Sequence, residues 1–413
     1  MNRSLPAVMI SAVLLVACGP GSETLRALLD TGRANAGVEP AIDSPYLDTQ
    51  AWVESVYACQ RASGSDRPAP VFDRETYTEV TYLTTTSALA DDEAAAQDLV
   101  NNIPFSTRTA LLQAKWDRKG LATYRCPDDG FLYGTVVLSD FIPTPAGRYI
   151  DPVFTEQDIV VHDGIRYGNA PLLCDRSNDL LMDIYEPTAD TLVSRPTMVV
   201  IHGGGFRSGN RKKNADEALA YARRGFVAVA IEYRTCPGEF ASDEAQVEAA
   251  TNAIDDGMEA IRFLHANAAT YGIDTTRIGA VGTSAGGAIA LGTALVDDQT
   301  PGGPLETYPY QPAAVMSTGG NLTPAIESPG FRDAVPPVMM FRYEFDTVAG
   351  PDNESYEWPY SYQTCLEIHN KGATCDFFRL DGPGHVSGIG PTNAYAKWYL
   401  PWFYEKMDLA NAN

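Results

Sequence analysis

The chain has 413 residues, 45% of them hydrophobic, with 53 Asp and Glu against 30 Lys and Arg, a formal net charge of −23. That length and apolar share can supply one large α/β core plus an extension. The charge argues against a nucleic-acid partner, because a phosphate backbone demands Lys and Arg, and the five His residues show no metal-ligand spacing, so neither metal nor cofactor is expected.

The N-terminus reads as a targeting segment. Arg3 gives a positive start, and Leu5 to Val16 is apolar but too short to span a bilayer. The closing Leu15-Val16-Ala17-Cys18 resembles the lipobox of bacterial lipoprotein signal peptides. The resemblance implies removal of residues 1–17, lipidation of Cys18 and a place in the cell envelope; Gly19 instead of Asp implies outer-membrane sorting. Several acyl chains anchor stably where one does not. An ordinary secretory signal with an incidental Cys is the alternative. Residues 18–45, opening on Gly19-Pro20-Gly21-Ser22, read as a polar tether.

Residues 46–150 form an extension of unknown role in which no chemistry shows. Ala51 to Arg61 and Ala94 to Asn101 are candidate helices, and Gly134 to Leu138 a candidate strand. Trp52, Trp116, Tyr124, Phe131 and Tyr133 could give a small core. Besides Cys18 there are six Cys residues, enough for three disulfides in an oxidising compartment, with 15 possible connectivities. Proximity favours Cys365–Cys375, leaving Cys174–Cys236 and Cys59–Cys126 as the other pairs.

From residue 151 to 413 the pattern sharpens into alternating strands and helices. Ile159 to Tyr167 and Leu180 to Tyr185 read as a hairpin at a sheet edge. Pro196 to Ile201 and Val227 to Tyr233 are apolar strands, separated by a helix over Asn214 to Arg224 that Gly225 ends. Ser242 to Asn267 is a long helix with Val247, Ala250, Ile254, Met258, Ile261 and Leu264 at intervals of three and four. A strand over Ile278 to Val281 and a helix over Ala285 to Leu295 follow. Ala313 to Ser317, Val338 to Phe341 and Cys375 to Leu380 are further strands, and Asn393 to Met407 a last helix. This alternation predicts a mainly parallel sheet covered on both faces.

Two glycine-rich motifs interrupt that pattern. His202-Gly203-Gly204-Gly205-Phe206 and Gly282-Thr283-Ser284-Ala285-Gly286-Gly287 each follow a strand. A serine on a tight strand-to-helix turn is an exposed nucleophile, and a glycine-rich turn can aim bare N–H groups at a developing oxyanion. The first motif lacks the spacing of a dinucleotide fingerprint.

With Leu181-Met182-Asp183-Ile184-Tyr185-Glu186-Pro187, Tyr221-Ala222-Arg223-Arg224-Gly225-Phe226-Val227 and Glu232-Tyr233-Arg234, these motifs make residues 151–413 resemble an α/β-hydrolase of the carboxylesterase/lipase superfamily. The His-Gly-Gly-Gly group, hormone-sensitive-lipase-like and feruloyl- or acetyl-esterase-like, is the nearest in pattern. Thr283 departs from it where the lipase group has Asp, which bears on subfamily alone. The resemblance implies the α/β-hydrolase fold and a serine carboxylic-ester hydrolase acting on a small-molecule ester through an acyl-enzyme on Ser284. His385, in Gly382-Pro383-Gly384-His385-Val386-Ser387-Gly388, falls where this fold presents its base; His202, His265, His369 and His162 are alternatives. Asp346 matches the family's acid position a few residues past a strand, with Glu344 and Asp352 as runners-up. Gly204, Gly205 and Ala285 would supply the oxyanion N–H groups. The short gap from Ser284 to Asp346 leaves little room for a lid, which favours short acyl chains. A peptidase of the same fold and a catalytically silent surface-binding lipoprotein are the competing readings.

Overall fold

The computed structural model describes residues 20–35, 42–43, 51, 55, 58, 80–89, 91–101, 118–126, 130–139, 146–169, 179–298, 303–322, 331–346, 348, 358–386, 388–393 and 395–412. The chain divides into two compact units, Met1–Pro143 and Thr144–Asn413. The division falls seven residues before the expected boundary because the segment ahead of residue 151 is bound into the second unit. There Tyr149 N–H donates to Arg224 O at 2.8 Å, its ring meets Phe226 edge-on, and Arg148 pairs with Asp190.

The first unit contains a four-stranded sheet of β1 (Ile42–Asp43), β2 (Val80–Ser87), β3 (Arg118–Arg125) and β4 (Leu132–Ser139), in the order β1-β3-β4-β2. Helices α1 (Pro20–Asn35) and α2 (Asp92–Asn101) pack against each other. Helix α1 corrects the expectation of a tether from residue 18. Leu25, Leu29 and Arg33, spaced by four, are all buried along one stripe. Pro20, read as a linker residue, stands at the first helical position, where its fixed φ and missing N–H cost nothing. In the small core Ala95, Leu99 and Leu132 cluster, and Tyr133 is buried while Phe131 is exposed. Of the helix expected over Ala51 to Arg61, residues 51, 55 and 58 are described and helical. Trp52, Trp116, Cys59, Cys174, the signal segment and Cys18 lie outside the described residues. Among the described residues no helix is long and apolar enough to cross a membrane.

The second unit has the α/β-hydrolase fold. In chain order it contains β5 (Ile159–Asn169), β6 (Asp179–Pro187), β7 (Arg195–Ile201), α3 (Ala215–Ala222), β8 (Val227–Ile231), α4 (Asp243–Ala266), α5 (Ala268–Tyr271), β9 (Ile273–Thr283), α6 (Ala285–Leu295), β10 (Ala314–Thr318), β11 (Val338–Asp346), α7 (Trp358–Asn370), β12 (Cys375–Gly384) and α8 (Ala396–Lys406). Its eight strands lie in the order β12-β11-β10-β9-β7-β8-β6-β5. Pairing is parallel from β12 through β8, and β6 runs antiparallel to both its neighbours. Every residue of β7, β8 and β10 is buried, as central strands of a sheet covered on both faces must be. Ser242 caps α4 by accepting the Ala245 N–H.

The chain leaves β7 to form β8 on one side, then returns through α4 to form β9 on the other. Loops after β7 and β9 therefore part above a crevice, the place where open α/β sheets bind ligands. The register pairs Ile201 with Gly282 and Thr318 with Thr283, so the two glycine motifs start at the same height on the same sheet edge.

A clamp fixes the first of those loops. The Tyr233 hydroxyl donates to His202 O at 2.9 Å, and the two rings stack at 4.3 Å. Burial pushes the His202 imidazole down to about 4, against the smaller opposing effect of its bond to Gly203 O. The folded protein thus holds His202 neutral where an unfolded chain would protonate it. Between about pH 6.5 and 4 the unfolded state binds more protons, so stability falls as pH falls through that window. Denaturant titrations at pH 7 and pH 5 should show a loss of about 2 kcal/mol attributable to this residue. His202→Asn should flatten that pH slope, and an unchanged slope would refute the attribution.

Cys365, on α7, is disulfide-bonded to Cys375, the first residue of β12, with 5.3 Å between Cα atoms. Cys126 and Cys236 are disulfide-bonded as well. The Cys365–Cys375 link closes a short loop, so replacing both by Ala should cost about 2–3 kcal/mol of unfolding free energy, read as a shift in denaturant midpoint. Peptide mapping without reductant should recover the two cysteines joined; two alkylated thiols would contradict it.

Candidate active site

Ser284 sits between the end of β9 and the start of α6 with φ 53° and ψ −123°. That left-handed backbone is a strained choice for a non-glycine residue. Glycines on either side make the turn feasible. A Cβ on Gly282 would lie 2.0 Å from Gly286 O, and one on Gly286 would lie 2.3 Å from Ile201 O. The Ser284 N–H donates to Thr318 O at 2.8 Å, which ties the turn to β10.

The structure brings Ser284, His385 and Asp346 into one chain of contacts. His385 Nε2 is 2.8 Å from Ser284 Oγ. His385 Nδ1 is 2.8 Å from Asp346 Oδ2 and 2.9 Å from Oδ1. A carboxylate only accepts, so the Nδ1 proton faces Asp346 and the Nε2 lone pair faces the serine. The arrangement can lift a proton from Ser284 and stabilise the imidazolium that results.

Asp346 departs in one respect from expectation, since it is the last residue of β11 and not a few residues beyond it. Strand β12 likewise continues past Leu380 to Gly384, pairing Phe345 with Pro383 and Asp346 with Gly384 after a register shift. Pro383 tolerates strand geometry because β12 is an edge strand, with one side free of ladder bonds. The extension carries Asp346 and His385 to adjacent strand ends.

Burial raises the Asp346 pKa, but the His385 hydrogen bond, the Arg342 charge and the Val348 N–H outweigh it and hold the carboxyl below its ordinary range. Arg342, four residues earlier on β11 and 1% exposed, stands 3.2 Å from Asp346 Oδ2. Sequence reasoning did not single out Arg342; an arginine inside an apolar strand, four residues before the expected acid, was the available signal. Thr318, whose carbonyl takes the serine N–H, left no signal.

Among the described residues, the N–H groups of Gly204 and Gly205 are taken by no other group. Ala285 opens α6 and carries an N–H the helix cannot satisfy. All three residues line a cavity of about 370 Å³ with Ser284 and His385. A larger cavity of about 670 Å³ lies along α4, where Arg234 and Arg262 are paired with Asp256 and Asp298. Those charges hold structure together, and no serine–histidine pair faces that space.

The other candidates fall elsewhere. His162 bonds Glu186 at 3.0 Å on the β5–β6 hairpin, His265 is in α4, His369 is near the end of α7, and His202 is clamped by Tyr233. Glu344 lies within β11, and Asp352 is outside the described residues. Among the described residues no group of three His, Cys, Asp or Glu is placed to hold a metal ion.

Comparison with known proteins places this site in context. Carboxylesterase 3 of Pongo abelii is 28% identical over 148 residues, covering 35% of this chain and 26% of the relative. A probable isoprenylcysteine alpha-carbonyl methylesterase of Oryza sativa subsp. japonica is 32% identical over 114 residues, 28% of this chain and 24% of the relative. The chain thus spans about a quarter or less of the length of the curated relatives it matches. A thermophilic esterase from the Planctomycetes species Thermogutta terrifontis superposes with a TM-score of 0.45 at 21% identity, covering 62% of this chain and 93% of that one. The chain carries an α/β-hydrolase fold whose residues 182–314, from β6 to the start of β10, match the BD-FAE family model.

Proposed function

We propose that this protein is a serine carboxylic-ester hydrolase acting on small esters, with Ser284 as nucleophile, His385 as general base and then acid, and Asp346 as the group that orients it. The reading rests on the unbroken run from Ser284 Oγ through the His385 ring to Asp346, with 2.8 Å at each step. Ser284 Oγ attacks the ester carbonyl as its proton passes to His385 Nε2. The carbonyl oxygen becomes an oxyanion facing the N–H groups of Gly204, Gly205 and Ala285. Each such donor is worth roughly 10²–10³ in rate in related chemistry. The imidazolium then protonates the departing alcohol, leaving an acyl-serine. Water, deprotonated by the same Nε2, releases the acid and restores Ser284.

Relatives named as a carboxylesterase, a methylesterase and, at 33% identity over 108 residues, a phenmedipham hydrolase of Pseudarthrobacter oxydans support hydrolysis of an acyl bond. The cavity of about 370 Å³ is at the small end of the roughly 300–1,000 Å³ usual for small-molecule sites, which favours short acyl chains. The lipobox-like Leu15-Val16-Ala17-Cys18 supports a mature chain beginning at a lipidated Cys18 in the cell envelope.

Ser284→Ala should abolish turnover of p-nitrophenyl esters and labelling by a fluorophosphonate. His385→Ala should remove nearly all activity with the fold intact by circular dichroism. Asp346→Asn should cost on the order of 10³–10⁴ in kcat, because it presents the wrong tautomer to the serine. Glu344→Gln should be mild; a crippling Glu344→Gln beside a silent Asp346→Asn would overturn the assignment of the acid. Wild-type turnover by Ser284→Ala would overturn the mechanism.

In its host the protein should partition into detergent, and Cys18→Ser should leave it uncleaved or in the aqueous phase. Mature wild-type protein found wholly in the aqueous phase would rule out the anchor.

A further inference from the structure

The wall of the catalytic cavity holds an arginine that, among the described residues, no carboxylate neutralises. In the second unit, the arginines whose side chains are described are engaged almost throughout. Arg148, Arg195, Arg211, Arg234, Arg262, Arg277 and Arg332 each meet a carboxylate, and Arg166 and Arg342 do the same. Arg223 and Arg224 donate to backbone carbonyls. Arg207 differs. Its guanidinium lies 4.6 Å from the centroid of the Phe240 ring and, among the described residues, meets neither a carboxylate nor a carbonyl.

Its position gives that vacancy a use. Arg207 follows Gly204, Gly205 and Phe206 on the oxyanion-side loop and lines the same cavity as Ser284. The Arg207 N–H donates to Gly204 O at 3.0 Å, so the residue is fixed to the loop that would hold the oxyanion. Among the described residues that line the cavity, it alone carries a permanent charge. Asp243 and Glu244, which open α4, are exposed and do not line the cavity. The guanidinium lies over the Phe240 ring, and its fork of N–H donors matches a carboxylate.

We propose that Arg207 makes the site selective for esters that carry a carboxylate on the acyl or alcohol portion, held by the guanidinium edge while Ser284 attacks the ester carbonyl. This rests on the serine-hydrolase reading above and specifies its substrate class. The carboxylate binds in both ground and transition states, so the charge lowers KM more than it raises kcat.

The test compares matched pairs of esters in the full-length protein. On the acyl side, mono-p-nitrophenyl glutarate is set against p-nitrophenyl pentanoate. On the alcohol side, 4-acetoxybenzoate is set against its methyl ester. Wild-type protein should favour the anionic member of at least one pair in kcat/KM, and added salt should erode that preference. Arg207→Met keeps an unbranched apolar side chain and removes the charge; the anionic-to-neutral ratio should fall at least tenfold, chiefly through KM. Arg207→Lys should recover part of the ratio. The pair that responds identifies which portion of the ester carries the charge. A ratio equal within twofold in wild type and Arg207→Met, with neutral esters still turned over, would overturn this inference and leave the hydrolase reading standing. Hydrolysis of both pairs by Ser284→Ala, or of neither by wild type, would overturn both.

Discussion

The active geometry depends on one backbone conformation, the left-handed turn at Ser284. A non-glycine residue held there costs on the order of 1–3 kcal/mol, and it persists only where the surroundings leave no alternative. Those surroundings are described by the neighbouring contacts. Gly282 and Gly286 come so close to opposing backbone that any side chain at either would collide with a carbonyl oxygen. Thr318 O holds the serine N–H from β10, and every residue of α6 behind it is buried. The turn is thus paid for by a helix sunk entirely in the core, and it points Oγ away from the core toward His385.

The remaining parts are placed by sheet register. Ile201 pairs with Gly282, Thr318 with both Thr283 and Phe341, and Asp346 with Gly384. Five neighbouring strands therefore end along one edge, each followed by a residue or loop of the site. The His385 hydrogen bond, with the buried Arg342 beside it, holds the Asp346 carboxyl below its ordinary range against the opposing effect of burial. A similar logic operates away from the site, where Asp183, fully buried, is held by Arg211 and Lys212 and accepts the Gly164 N–H. A chain of net charge −23 keeps its buried acids only where a cation or a donor meets them.

What could be read from the sequence follows from how local each signal is. The elbow and the glycine loop are short, contiguous and chemically unusual, so both could be found, together with the strands that precede them. The long helix was legible from Val247 to Leu264 because its apolar spacing is regular. Asp346 could be located only by its place in the fold, since nothing in Glu344-Phe345-Asp346 distinguishes the two acids, and the register shift between Tyr343 and Phe345 that brings Asp346 opposite Gly384 leaves no local signature. The strands β2 and β3 escaped notice because Val-Thr-Tyr-Leu-Thr-Thr-Thr-Ser and Arg-Lys-Gly-Leu-Ala-Thr-Tyr-Arg lack the apolar alternation that marks a half-buried strand. Arg342 left a faint trace, as an arginine inside an apolar strand; that Arg207 meets no carboxylate among the described residues is a fact of three-dimensional proximity with no trace in the sequence.

Helix α1 changes what an anchor at Cys18 would mean. A leash of some 25 residues would let an enzyme sample a wide shell of solution above the bilayer. With α1 beginning at Pro20, only Cys18 and Gly19 stand between the proposed lipid and folded structure, a span of roughly 7 Å at full extension. The first unit would then ride against the headgroups, with little freedom to drift or tumble away from them. The layer of headgroups and bound ions that the first unit would meet differs from bulk in its local ionic composition. On that geometry, the ionic environment next to the lipid would belong to the conditions under which the first unit holds its fold.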